Sequence, residues 1–175
     1  MDLRAAIRTI PDHPKPGIMF RDVTTLMGDA AALKHAVGQL SEPFLDARVT
    51  KVAGIEARGF VFGAPVAERL QAGFVPLRKK GKLPSATYFE SYELEYGIDE
   101  LHMHEDAVKP GERVLIVDDL IATGGTAEAG VKLVRRGGGE VVGASFVVDL
   151  PELGGADRLR ELDVAVHCLT AYEGH

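Results

Sequence analysis

The run Val114-Leu115-Ile116-Val117-Asp118-Asp119-Leu120-Ile121-Ala122-Thr123-Gly124-Gly125-Thr126 limits what this chain can fold into more than any other. It opens with consecutive apolar residues, mostly β-branched, after the turn-forming Lys109-Pro110-Gly111-Glu112. That is the pattern of a central strand with both faces buried. Two carboxylates stand at the strand's carboxyl end. A Thr-Gly-Gly-Thr turn then hands over to helical spacing across residues 126–136, which Gly137-Gly138-Gly139 stops. A strand of this kind followed at once by a helix belongs in an α/β fold, a parallel sheet covered by helices, with ligands beyond the carboxyl ends of the strands.

The rest of the chain agrees with that frame. Ala32, Leu33, Ala36, Val37, Leu40 and Phe44 recur at intervals of three and four, one helix face over residues 29–45 despite Gly38. Residues 52–55 read as a short buried strand, 61–70 as a helix ended by Gly73, and 74–77, 141–148 and 164–169 as further strands. Two segments fall outside the alternation. Residues 11–25, with Pro14-Lys15-Pro16-Gly17, read as an irregular arm. Residues 85–106 carry Tyr88, Phe89, Tyr92, Tyr96 and seven carboxylates, and read as a hairpin that projects from the core as a functional flap.

A chain of 175 residues, 46% hydrophobic and 26% charged, fits one compact domain. No signal peptide is expected, because Asp2, Arg4, Arg8, Asp12 and Lys15 interrupt residues 1–17, and no stretch approaches the roughly 20 apolar residues of a membrane span. The one cysteine, Cys168, has no internal partner for a disulfide; it reads as a small buried hydrophobe in a reducing cytoplasm. The net charge of −6 disfavours non-specific attraction to nucleic acid or to an anionic membrane. An anionic ligand must therefore be met by a local cluster of cations.

The acidic run and its turn carry the most specific chemistry. Gly124 and Gly125 let backbone approach a ligand, the first N–H groups of the following helix are unpaired, and the positive helix end favours an anion such as phosphate. Thr123 and Thr126 add hydroxyl donors. Asp118 and Asp119 would repel a bare phosphate, so they call for hydroxyls or a divalent cation beside it. A sugar phosphate satisfies both halves. The plainer reading of Thr-Gly-Gly-Thr alone is a strand-to-helix turn with a threonine cap. Two further segments supply cations after strands: Glu56-Ala57-Arg58-Gly59 and Arg78-Lys79-Lys80-Gly81-Lys82. Each also has a plain reading as an exposed turn. Neither a P-loop nor a dinucleotide fingerprint fits, since Phe60 stands where a P-loop needs lysine.

The acidic run resembles the phosphoribosyl diphosphate signature of the type I phosphoribosyltransferases. Within that family the resemblance is closest to the members that use adenine, through Pro16-Gly17-Ile18-Met19-Phe20-Arg21-Asp22, Glu56-Ala57-Arg58-Gly59-Phe60-Val61-Phe62-Gly63, Arg78-Lys79-Lys80-Gly81-Lys82-Leu83-Pro84 and Ser91-Tyr92-Glu93-Leu94-Glu95-Tyr96-Gly97. The resemblance implies a mainly parallel sheet flanked by helices, a small hood from residues 1–28 and about 150–175, and a flexible flap at about 80–106. It implies transfer of phosphoribose from phosphoribosyl diphosphate to adenine, giving AMP and pyrophosphate with magnesium held mainly through substrate, in a cytoplasmic homodimer. By position it puts Met19, Phe20, Arg21 and Leu150 at adenine. It puts Arg58, Arg78, Lys79 and Lys82 at pyrophosphate, Asp118, Asp119, Ala122, Thr123, Gly124, Gly125 and Thr126 at the ribose phosphate, and Glu95 as the general acid. It also implies a cis non-proline peptide at Glu56-Ala57 or Ala57-Arg58.

Weaker signals are set apart. His102-x-His104 with Glu105 could place two imidazoles on one strand face, yet no third ligand has a suitable spacing, and these histidines read as exposed. Phe60, Val61 and Phe62 read as core at a helix start, and Glu128 with Lys132 as an ordinary helix pair. The nearest alternative function is transfer to hypoxanthine, guanine or xanthine. The alternative of another class is a non-catalytic sensor of phosphoribosyl diphosphate.

Overall fold

Hydrophobic alternation along one strand divides the core into two layers. In the computed structural model, which describes residues 1–94 and 96–174, Val114 and Ile116 pack into one buried cluster and Leu115 and Val117 into the other. The elements, in chain order, are α1 (Leu3–Ala6), β1 (Arg8–Ile10), β2 (Phe20–Asp22), α2 (Thr24–Met27), α3 (Ala30–Ser41), β3 (Lys51–Ile55), α4 (Arg58–Arg69), β4 (Gly73–Lys79), β5 (Thr87–Leu94), β6 (Gly97–His104), β7 (Arg113–Ile121), α5 (Gly125–Arg136), β8 (Glu140–Asp149), α6 (Gly155–Arg160) and β9 (Val166–Ala171).

Among the described residues the main sheet runs in the order β5-β6-β4-β3-β7-β8-β9. Strands β4, β3, β7, β8 and β9 are parallel, and only the β5-β6 hairpin at one edge is antiparallel. The structure is therefore the mainly parallel α/β sheet expected from the alternation of strands and helices. On one side, Ala32, Ala36 and Leu40 of α3 and Phe62 and Val66 of α4 cover Leu115 and Val117. On the other, Val131, Leu133 and Val134 of α5 cover Leu77, Ile116, Leu101 and Met103. The Asp29 carboxylate starts α3 by accepting from the Ala32 N–H at 3.0 Å, satisfying one of the helix's unpaired donors.

Several expectations need correction. The arm is not wholly irregular, because β2 pairs antiparallel with β1 in a small second sheet. The hairpin projects only at its tip: Leu101 and Met103 are buried in the core, whereas Leu94, Tyr96 and Ile98 are exposed. Helix α4 begins at Arg58, three residues before the apolar spacing starts, so only Phe62 of the Phe60-Val61-Phe62 run is fully buried and Val61 faces solvent. Residues 166–171, within the expected hood, pair with β8 in the main sheet. His102 and His104 are half-buried, not exposed; His102 sits between Thr87 Oγ1 at 2.8 Å and Glu100 Oε1 at 2.9 Å. Cys168 is half-buried, and burial pushes its thiol up to about 12.

Asp22 ties the small sheet to the start of α2. Its Oδ1 accepts from the Thr24 hydroxyl at 2.6 Å and the Thr24 N–H at 2.9 Å, and its Oδ2 accepts from Arg8 Nε at 3.0 Å. These donors, Thr24 first and then Arg8, hold the carboxyl at about 2, below its ordinary 3.8. A depressed folded-state value adds stability above pH 3.8, and that stability is lost as pH falls through about 2. Asp22→Ala should therefore cost about 1–3 kcal/mol at neutral pH, with the gap from wild type closing toward pH 2 in thermal melts. An equal gap at both pH values would contradict this account.

Candidate active site

Strand β7 carries Asp118 and Asp119 out of the core at its carboxyl end. Asp119 is buried, and its N–H donates to Asp118 Oδ1 at 2.8 Å. The first turn of α4 lies directly against this corner. A Cβ on Gly59 would stand 2.8 Å from Asp118 Oδ1 and 3.2 Å from the Val117 carbonyl, so only glycine permits the approach. That approach places Arg58 Nε 2.6 Å from Asp119 Oδ2. The Glu56-Ala57 peptide is cis, one of the two bonds anticipated. Glu56 Oε1 in turn accepts from Arg78 Nε at 3.2 Å and from the Lys79 N–H at 2.8 Å, joining the ends of β3 and β4.

These groups line a cavity of about 300 Å³ that brings Arg21, Arg58, Lys79, Asp118, Asp119 and Thr126 together. A neighbouring cup of about 160 Å³ is formed by Ala122, Thr123, Gly124, Gly125 and Thr126, and shares Asp118 and Thr126 with the first. The cup opens on the start of α5, a twelve-residue helix whose first N–H groups have no intrahelical partner. One end of the combined space thus offers backbone N–H groups and hydroxyls, the other offers cations, and two carboxylates lie between. Such a space suits a ligand with an anion at each end and hydroxyl donors in the middle.

The hairpin contributes residues the sequence reading missed. Tyr92, Leu94 and Asp99 also line the cavity; the Tyr92 hydroxyl donates to Asp99 Oδ2 at 3.3 Å, and Asp99 lies 3.8 Å from Lys79 Nζ. Leu94 pairs with Gly97, which puts Tyr92 opposite Asp99. Period-two alternation on either side of a short hairpin connection was the available signal.

Of the other anticipated site residues, Arg21 lines the cavity, whereas Arg78, Lys82, Met19, Phe20 and Leu150 line neither cavity. Arg78 reaches the first cavity through Glu56, and Lys82 is exposed on the turn after β4. Met19 is exposed, and Phe20 packs edge-on to His13 with ring centres 5.0 Å apart. Leu150 is buried, its N–H donating to the Ile121 carbonyl at 3.0 Å. Arg21 donates to Thr9 Oγ1 at 2.8 Å and lies 4.1 Å over the Tyr172 ring. Glu95 lies outside the described residues.

Comparison with known proteins decides the family. The model of the phosphoribosyl transferase domain matches residues 23–172. The adenine phosphoribosyltransferase of Bradyrhizobium diazoefficiens is 62% identical over 174 residues, covering 99% of this chain and 97% of that protein. The chain belongs to the adenine phosphoribosyltransferase family. Among solved members, the enzyme from Rhodothermus marinus is 55% identical with a TM-score of 0.92, covering 97% of this chain and 96% of that one. The adenine phosphoribosyltransferase of Saccharomyces cerevisiae, solved with adenine and an imino-altritol bisphosphate, is 35% identical with a TM-score of 0.89 over 96% of both chains. The fold is that of the type I phosphoribosyltransferases.

The acidic pair of this family member is electrostatically strained. Burial first, and the charge of Asp119 second, push the Asp118 carboxyl well above its ordinary 3.8 despite the nearby Arg58. A raised folded-state value means the native chain binds the extra proton, so stability falls as pH rises from 3.8 through the Asp118 value. Asp118→Asn removes that charge and keeps the oxygen that accepts from Asp119. It should melt above wild type at neutral pH, by about 2–4 °C for each kcal/mol gained, and the gain should vanish toward pH 3.8. A variant less stable than wild type at neutral pH would show that Asp118 serves the fold.

Proposed function

We infer that this chain transfers the phosphoribosyl group of phosphoribosyl diphosphate to N9 of adenine, yielding AMP and pyrophosphate in purine salvage. One observation carries the reading: Asp118, Asp119, Arg58 and Lys79 line one cavity, the Ala122–Thr126 cup lies beside it, and the two share Asp118 and Thr126. The 5′-phosphate occupies the cup at the start of α5, and the ribose 2′ and 3′ hydroxyls donate to Asp118 and Asp119. Arg58, Lys79, Arg78 and Lys82 face the pyrophosphate. As the bond from sugar C1 to the pyrophosphate oxygen breaks and N9 bonds to C1, adenine gives up its imidazole N–H proton to the departing pyrophosphate or to water, positive charge develops on the sugar and negative charge on the leaving group. Fixed cations aimed at that developing charge lower the barrier. Arg58 would exchange Asp119 for the pyrophosphate when substrate displaces their ion pair.

Magnesium, which keeps several waters and binds substrate phosphates with at most one or two carboxylates, would be held mainly through substrate, with Asp118 and Asp119 beside it. When bound, the ion would neutralise charge on the diphosphate. The β5-β6 hairpin acts as the flap that excludes water, with Tyr92 and Leu94 on its cavity side. We assign Glu95, in the flap, to hydrogen-bond N7 of adenine as N9 attacks. Residues 1–28, with the part of 150–175 outside β9, form the hood over the base, with Phe20 and Leu150 on the faces of the base. We further propose a homodimer, on the family resemblance alone, and a cytoplasmic location, which the single cysteine supports.

Base choice follows from the polarity of the main chain. The Arg21 N–H and carbonyl pair with N1 and the 6-amino group of adenine, whereas hypoxanthine would set donor against donor and acceptor against acceptor. A site built on such bonds rejects the wrong partner by ~10⁴ or more. The Arg21 side chain is not idle, because it anchors β2 on Thr9 and Tyr172. With magnesium and phosphoribosyl diphosphate, adenine should release pyrophosphate and hypoxanthine or guanine should not. Arg21→Ala should raise the KM for adenine without changing that preference. A kcat/KM for hypoxanthine or guanine within about tenfold of that for adenine would overturn the assignment.

A further inference from the structure

The loop at residues 122–126 is gripped from outside the cavity by the start of α6. Gly124 takes φ of +88°, and the Gly155 N–H donates to the Ala122 carbonyl at 3.0 Å. A Cβ on Gly155 would stand 2.5 Å from Ala122 O and 2.8 Å from Gly124 N; one on Gly124 would stand 2.9 Å from Gly155 Cα. The two segments are therefore in direct backbone contact, and neither tolerates a side chain there.

Farther along α6, Arg158 Nη1 donates to the Thr123 carbonyl at 3.4 Å, and its Nε pairs with Glu128. Glu128 lies in the first turn of α5, where its own N–H donates to the Gly124 carbonyl at 2.8 Å. Its carboxylate also lies 3.6 Å from Lys132 Nζ. Glu128 and Arg158 line, with Gly125, a neighbouring hollow and not the cup itself, so the Glu128 charge would act on a phosphate at the start of α5 from the side of the first helical turn. Arg158 offsets that charge and at the same time holds a loop carbonyl.

We propose that Gly155 and Arg158 of α6 are positioning residues for the phosphate loop: Gly155 sets its backbone path, and Arg158 screens Glu128 from the bound phosphate while holding Thr123. The proposal rests on reading residues 122–126 as the phosphate loop. Its two members fail differently. Replacing Gly155 forces the loop off its path, whereas replacing Arg158 removes one hold on Thr123 and exposes the charge of Glu128.

Ribose 5-phosphate titrated calorimetrically into the full chain tests this, alongside KM values for adenine and phosphoribosyl diphosphate. Arg158→Ala should weaken ribose 5-phosphate about tenfold, with Arg158→Lys retaining most of the affinity and Arg158→Ala combined with Glu128→Gln recovering it. Gly155→Ala should weaken it about 10–100-fold. The KM for phosphoribosyl diphosphate should follow, and that for adenine should stay within about twofold. If Gly155→Ala does not fold, the Arg158 series decides. Affinity unchanged in Arg158→Ala, equal losses for both substrates, or no recovery on removing the Glu128 charge would overturn the proposal. Failure of the wild-type chain to bind ribose 5-phosphate would instead remove the loop assignment on which it rests.

Discussion

Asp118 and Asp119 stand side by side at the end of a buried strand, with the Asp119 N–H on Asp118 Oδ1 at 2.8 Å. Two carboxylates so placed cannot both ionise without a counter-charge. Arg58, 2.6 Å from Asp119 Oδ2, supplies that counter-charge to Asp119 and only in part to Asp118, and the rest of the site follows from bringing that arginine there. Gly59 lets α4 start against the carboxyl end of β7, and the Glu56 carboxylate joins that corner to Arg78 and Lys79 at the end of β4. The parallel order of β4, β3 and β7 puts all three strand ends on the same edge.

On the proposed reading, an acidic chain of net charge −6 binds a polyanion through a local group of cations, Arg58, Arg78 and Lys79, at the ends of β3 and β4. The backbone N–H groups of the loop before α5 meet one anion without any side-chain charge. The cations at the ends of β3 and β4 meet the other. Between them the acidic pair repels anions and accepts hydroxyls, so the order of groups along the cleft matches the order along a sugar bearing phosphates at both ends.

Much of this was legible in the sequence where a single local cause set the outcome. Consecutive apolar, mostly β-branched residues marked β7, three-and-four spacing marked α3 and α5, and the acidic run before Thr-Gly-Gly-Thr marked the strand-to-helix corner that lines both cavities. What escaped depends on tertiary contact. Helix α4 starts at Arg58 because the end of β7 receives its first turn, ahead of the apolar spacing. Strands β1 and β2 are three residues each and exist through pairing with one another. The hairpin was seen as polar and aromatic, but β6 is half core because it extends the main sheet through Arg78 and Lys79. The Arg58–Asp119 pair joins residues 61 apart in sequence, and no local pattern reports it.

The account depends most on the acidic pair serving the sugar hydroxyls and not the fold. Its most direct test is to replace both aspartates, Asp118→Asn with Asp119→Asn, and to titrate the folded variant separately with phosphoribosyl diphosphate plus magnesium and with adenine. The account predicts that binding of phosphoribosyl diphosphate collapses while that of adenine stays close to wild type. Equal losses for the two ligands, or no loss for either, would contradict it.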